Sequence, residues 1–109
     1  MIEHKDLAQG RWQAMTLVEQ LSNVGSEVSR SMAWQKKNQR EYALKAFFRS
    51  LELLDLSIND PKNATRLREL TRLREVWADY LFGDNEWKST EAGWTNYFLQ
   101  FAYSARKNC

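Results

Sequence analysis

The stretch LELLDLSINDPKN, residues 51–63, sets the fold. Leu51, Leu54 and Ile58 continue a three-and-four spacing that begins at Leu44 and Phe47, the spacing of an apolar stripe on a helix. The pattern stops at Asn59-Asp60-Pro61. Asp60 suits an N-cap, and Pro61 suits the first position of a new helix, where its missing N–H costs nothing. The stretch therefore reads as one helix ending and another starting at once, which makes the two antiparallel neighbours.

Working outward, helix two is expected over 41–58 and helix three over 61–82. Helix three turns Leu67, Leu70, Leu73, Trp77 and Leu81 inward, and Gly83 is placed as its left-handed terminator. The following FGDNEWKST, residues 82–90, carries Asp84, Asn85 and Glu86 in a row. Its glycine precedes the acids and its oxygens do not alternate, so it does not fit a calcium loop and reads as a connector. Ser89 or Thr90 caps helix four, whose stripe is Trp94, Tyr97, Phe98, Phe101 and Ala105. Upstream, Leu7, Ala14, Val18, Leu21, Gly25, Val28 and Met32 make one stripe from about residue 3 to 37. Gly25 leaves that stripe thin, which suits close approach by a neighbouring helix. The expected architecture is all-α: an up-down-up-down four-helix bundle, residues 1–109 in one domain, with a long first helix.

The totals agree. The chain has 109 residues, enough for one core, and strand-like Val/Ile/Thr alternation is missing. There is no run of about 18 apolar residues, and the start MIEHKDLAQGRW lacks the apolar segment of a signal peptide. With the lone Cys109 these features give the expectation of a cytoplasmic protein without a membrane partner.

The inventory for chemistry is thin. One histidine (His4) and one cysteine (Cys109) near opposite termini make no zinc set, and a glycine-rich phosphate loop is lacking. No catalytic residue, metal ligand or cofactor is expected, and the chain reads as a non-enzyme. Asp55 lies beside the apolar face of helix two, and folding the hairpin about Asp60-Pro61 sets it level with Arg66. An Asp55–Arg66 ion pair is therefore expected, with the Arg74 stem packed and its head reaching a partner or water.

Surplus apolar surface points to a function. Tyr42, Ala46, Leu53 and Leu56 lie off the Leu44–Leu51 stripe, and Leu99 and Tyr103 lie opposite the aromatic stripe of helix four. A four-helix monomer needs one stripe per helix, so these six positions are the expected contact surface for a protein partner or a homo-oligomer. The alternative is a nucleic-acid-associated bundle using a basic end, where Lys5, Lys62, Arg66, Arg106 and Lys107 gather. Sixteen basic against fourteen acidic residues do not decide between the two.

At LELLDLSINDPKN, RLREVWADYLFGDNEWKST and YFLQFAYSARK, together spanning most of 51–107, the chain resembles a family of small uncharacterised prokaryotic four-helix proteins. The resemblance implies the fold and carries over no functional residue. In shape the architecture is similar to the diversity-generating-retroelement accessory protein and to HEPN-domain proteins. The HEPN ribonuclease motif sets an arginine a few residues before a histidine, and no arginine precedes His4.

Overall fold

The computed structural model describes residues 10–107. It is all-helical, with α1 at Leu17–Lys36, α2 at Arg40–Ile58, a 3-10 segment at Pro61–Arg66, α3 at Leu67–Phe82 and α4 at Glu91–Lys107. Successive helices are antiparallel. Ser31 of α1 bonds the Ala43 carbonyl of α2, Trp77 of α3 bonds Ser50 of α2, and Lys36 at the end of α1 meets Glu91 at the start of α4. α1 packs against both α2 and α4, and α3 packs on the other side of α2. Among the described residues, no helix is long and apolar enough to cross a membrane.

The first helix is shorter than its stripe implies. Thr16 closes a capping box with Glu19: the Glu19 N–H donates to Thr16 Oγ1 at 3.1 Å, and the Thr16 N–H donates to Glu19 Oε1 at 2.9 Å. α1 therefore starts at Leu17 and does not run unbroken through 10–16 as expected; the expected part at 3–9, with Leu7, lies outside the described residues. Residues 10–16 instead fold as a strap that brings Trp12 into the core at 1% exposure. From Leu17 the helix is continuous through Gly25. A Cβ there would lie 2.7 Å from the Cβ of Phe98, so the missing side chain is what lets α4 approach. The helix ends in a Schellman turn: Asn38 sits at φ 60°, its N–H bonds the Gln35 carbonyl, and the Gln39 N–H bonds the Trp34 carbonyl.

Helix two is rotated from the leucine stripe. Its buried residues are Ala43, Ala46, Phe47, Ser50, Leu53, Leu54 and Ser57, while Leu44, Leu51 and Ile58 are only half-buried. Small side chains on this face let α1 and α2 come close. The two serines are satisfied there, each donating to a carbonyl one turn back and accepting an indole N–H. Trp12 Nε1 reaches Ser57 at 3.1 Å, and Trp77 Nε1 reaches Ser50 at 2.8 Å. A reading that scores hydropathy alone places such serines outside.

Asp60 caps as expected, accepting from the Lys62 N–H, and Pro61 opens the segment. That segment is 3-10, so the α-helix starts at Leu67 and not at Pro61 as expected. The register across the hairpin slides with it. Asp55 pairs with Arg74, Nε to Oδ1 at 2.7 Å, and the expected Asp55–Arg66 pair does not form, because Arg66 turns to Glu69 at 2.7 Å.

The core closes on Leu21, Val24, Val28, Phe47, Leu54, Leu70 and Trp77. α3 and α4 meet through aromatic rings: Trp77 lies edge-on to Trp94 at 5.4 Å between centroids, and Tyr80 stands 6.3 Å from Trp94.

Candidate interaction surface

Two ends of the molecule differ in kind. The end where α1 and α3 begin is tied by buried polar side chains. Gln20 donates to the Trp12 carbonyl at 3.0 Å and to Asp60 Oδ2 at 2.9 Å. Asn63 donates to Gln20 Oε1 and to the Ser57 carbonyl, each at 2.9 Å. Lys62 completes the cluster, pairing with Asp60 and bonding the Gln13 carbonyl at 2.9 Å. Burial pushes the Asp60 carboxyl up, but hydrogen bonds from Lys62 and Gln20 outweigh it and hold the group below its ordinary 3.8.

This arrangement bears on the basic-end residues. Lys62, Arg66, Arg106 and Lys107 do lie at this end and are exposed. Two of the four are engaged internally, Lys62 by Asp60 and Arg66 by both carboxylate oxygens of Glu69. Lys5, His4 and Cys109 lie outside the described residues.

The opposite end, where α2 and α4 begin, presents rings. Tyr42 is 49% exposed and packs on Trp34 at 4.8 Å. Phe48 and Phe82 are 51% and 57% exposed; their rings stand 6.4 Å apart, and both touch the buried Phe47, at 5.4 and 5.8 Å. Cations lie over three rings here: Lys37 on Trp34 at 5.3 Å, Lys45 on Tyr42 at 5.9 Å and Arg72 on Trp87 at 4.3 Å.

The six expected contact positions therefore divide. Ala46 and Leu53 are buried against the bundle, which removes them from any free face, and Leu56 is half-buried against the core. The rotation of α2 toward α1 is the reason. Tyr42, Leu99 and Tyr103 are exposed. Phe48 and Phe82 are the additions. Phe48 follows Phe47, and on a helix adjacent residues point about 100° apart, so both cannot serve one stripe. Phe82 is the last residue of α3, at the margin of the core, with one side on Phe47 and the rest in solvent. Glu27 is a further site that the apolar stripe conceals. It is buried on α1 and flanked by Arg30 at 2.6 Å and by Arg49 of α2 at 3.4 Å.

The 82–90 segment links α3 to α4, but Gly83 is not left-handed, at φ −101°. Asn85 (φ 53°) and Lys88 (φ 54°) take that conformation instead. Asn85 secures it by exchanging two hydrogen bonds with the Ser89 backbone, at 2.8 and 3.0 Å, and the Trp87 N–H donates to Asp79. Thr90, not Ser89, caps α4, accepting from the Gly93 N–H at 3.0 Å. No group of three or more potential metal ligands is found among the described residues. The chain matches no protein-family model, no curated protein and no solved structure in the three comparisons made.

Proposed function

We propose that this chain is a non-enzymatic helical interaction module that self-associates through the aromatic edge formed by Phe48 of α2 and Phe82 of α3. The observation that carries the reading is the exposed Phe48–Phe82 pair, backed by buried Phe47. Rigid rings cost little side-chain entropy on docking, and covering the exposed half of each phenylalanine contributes roughly 1 kcal/mol. A second copy offers the same edge, so a two-fold contact would cover both rings of each copy at once. Size-exclusion chromatography with light scattering at high micromolar concentration tests this. A dimer that Phe48→Glu/Phe82→Glu converts to a monomer supports the reading, and a strict monomer overturns it.

The nucleic-acid alternative is supported by other residues than Lys62 and Arg66. The three cation–ring pairs Lys37–Trp34, Lys45–Tyr42 and Arg72–Trp87 combine positive charge with faces on which bases stack. Its test is binding of single-stranded RNA or DNA that falls steeply with added salt; no binding at low salt removes it.

A further inference from the structure

Between α3 and α4 lies a groove of about 450 Å³. It exists because these helices meet through rings and not through close backbones, and because Gly93, on its wall, has no side chain to fill it. Leu73, Val76, Trp94 and Tyr97 give it an apolar floor. The rim is cationic. Arg72 is held there by Trp87, and Lys88 by its left-handed backbone and an N–H bond to the Asn85 carbonyl at 3.0 Å. Among the described residues the lining holds a single carboxylate, Glu69, already engaged by Arg66 through both oxygens. Trp94 lies at the bottom of this groove as a ring packed edge-on against Trp77, so it offers an aromatic surface there.

We propose that this groove binds an amphipathic organic monoanion, a carboxylate or sulfonate on an apolar body. The body lies on Leu73, Val76, Trp94 and Tyr97, and the anionic head sits between Arg72 and Lys88. The volume falls within the range of small-molecule pockets, where an apolar lining supplies affinity and a few polar groups fix orientation.

The probe is 8-anilinonaphthalene-1-sulfonate, compared with its uncharged parent, N-phenyl-1-naphthylamine, by fluorescence titration of the intact chain. The expected result is one saturable sulfonate site per chain. Its affinity falls about tenfold in Arg72→Gln/Lys88→Gln, the loss of a charge-assisted contact, while the affinity for the uncharged parent stays within about twofold. Gly93→Leu abolishes binding of both probes. The indole N–H resonance absent from Trp94→Phe shifts on sulfonate binding in the parent chain. Equal binding of the two probes, an unchanged affinity in Arg72→Gln/Lys88→Gln, or an unmoved Trp94 resonance would overturn the proposal. So would sulfonate fluorescence that disappears in Phe48→Glu/Phe82→Glu, because the probe would then sit on the aromatic edge. Arg72 and Lys88 are exposed, so circular dichroism and melting temperature should match the parent in Arg72→Gln/Lys88→Gln; a Cβ at Gly93 would stand 3.1 Å from Thr90 Oγ1, so Gly93→Leu is compared at a temperature where its circular dichroism matches the parent.

Discussion

The end of the bundle that holds Trp12, Gln20, Ser57, Asp60 and Asn63 and the end that holds Trp34, Tyr42, Phe48, Phe82 and Trp87 are built from opposite materials. In the first, polar side chains are buried and bonded to one another across α1, α2 and the 3-10 segment. In the second, apolar rings stand in solvent. Water is excluded where hydrogen bonds replace it and is left in contact where nothing does. A buried polar network is expensive unless every member is bonded, so it fixes one arrangement and rejects others. An exposed ring specifies nothing internally and is available to something else. Substitutions at the first end should therefore cost stability, and those at the second should cost association.

The largest effect is expected from Trp12→Ala, which empties a fully buried site and removes the indole donor to Ser57; a loss of about 3–5 kcal/mol in urea unfolding is expected. Trp12→Phe should lose less, and a melting temperature unchanged by either would break the comparison. Gly25→Ala forces the Cβ of Phe98 aside and should cost about 1–3 kcal/mol by the same measurement. Asp60→Asn removes the charged acceptor for Lys62 and Gln20 at a cost of about 1–3 kcal/mol near neutral pH. It also sharpens the comparison through pH. The folded carboxyl titrates below its ordinary 3.8, so its contribution is present above that value and is lost as pH falls through the lower folded value. With the carboxyl replaced by an amide, that part of the acid slope should vanish from the unfolding curve. Phe48→Glu and Phe82→Glu give up the half of each ring that packs on Phe47 and should cost about 1 kcal/mol each, measured alongside their loss of self-association. Arg74→Gln breaks a pair whose members are both partly exposed and should cost at most about 1 kcal/mol.

Periodicity made the helices legible, and turn chemistry at Asp60-Pro61 and Thr90 made two of the connections legible. Three things were hidden for identifiable reasons. The Thr16–Glu19 capping box is a readable start signal, but apolar residues spaced on both sides of it masked the break. The 3-10 conformation of 61–66 depends on Asn63 being drawn to Gln20 and the Ser57 carbonyl, contacts supplied by α1, far back in the chain, and by α2. The face of α2 that turns inward is chosen by small residues and serines, which hydropathy ranks below leucine. The contact surface was legible only in outline. Tyr42, Leu99 and Tyr103 are exposed as their pattern implies, whereas Ala46 and Leu53 went inside with the rotated helix. The α3–α4 groove was illegible because it depends on where two helices fail to touch.

Ser50 and Ser57 lie two turns apart along the same line of α2, and each is held by an indole, one from α3 and one from the strap. They act as two index pins on a shaft. α2 carries a competing apolar line at Leu44, Leu51 and Ile58, one residue on from the serines, and a roll of about 100° about its axis would bury that line instead. With both hydroxyls removed, as in Ser50→Ala/Ser57→Ala, the two indoles would no longer mark the native angle, which would then rest on Ser31 at the Ala43 carbonyl and on the half-exposed Asp55–Arg74 ion pair.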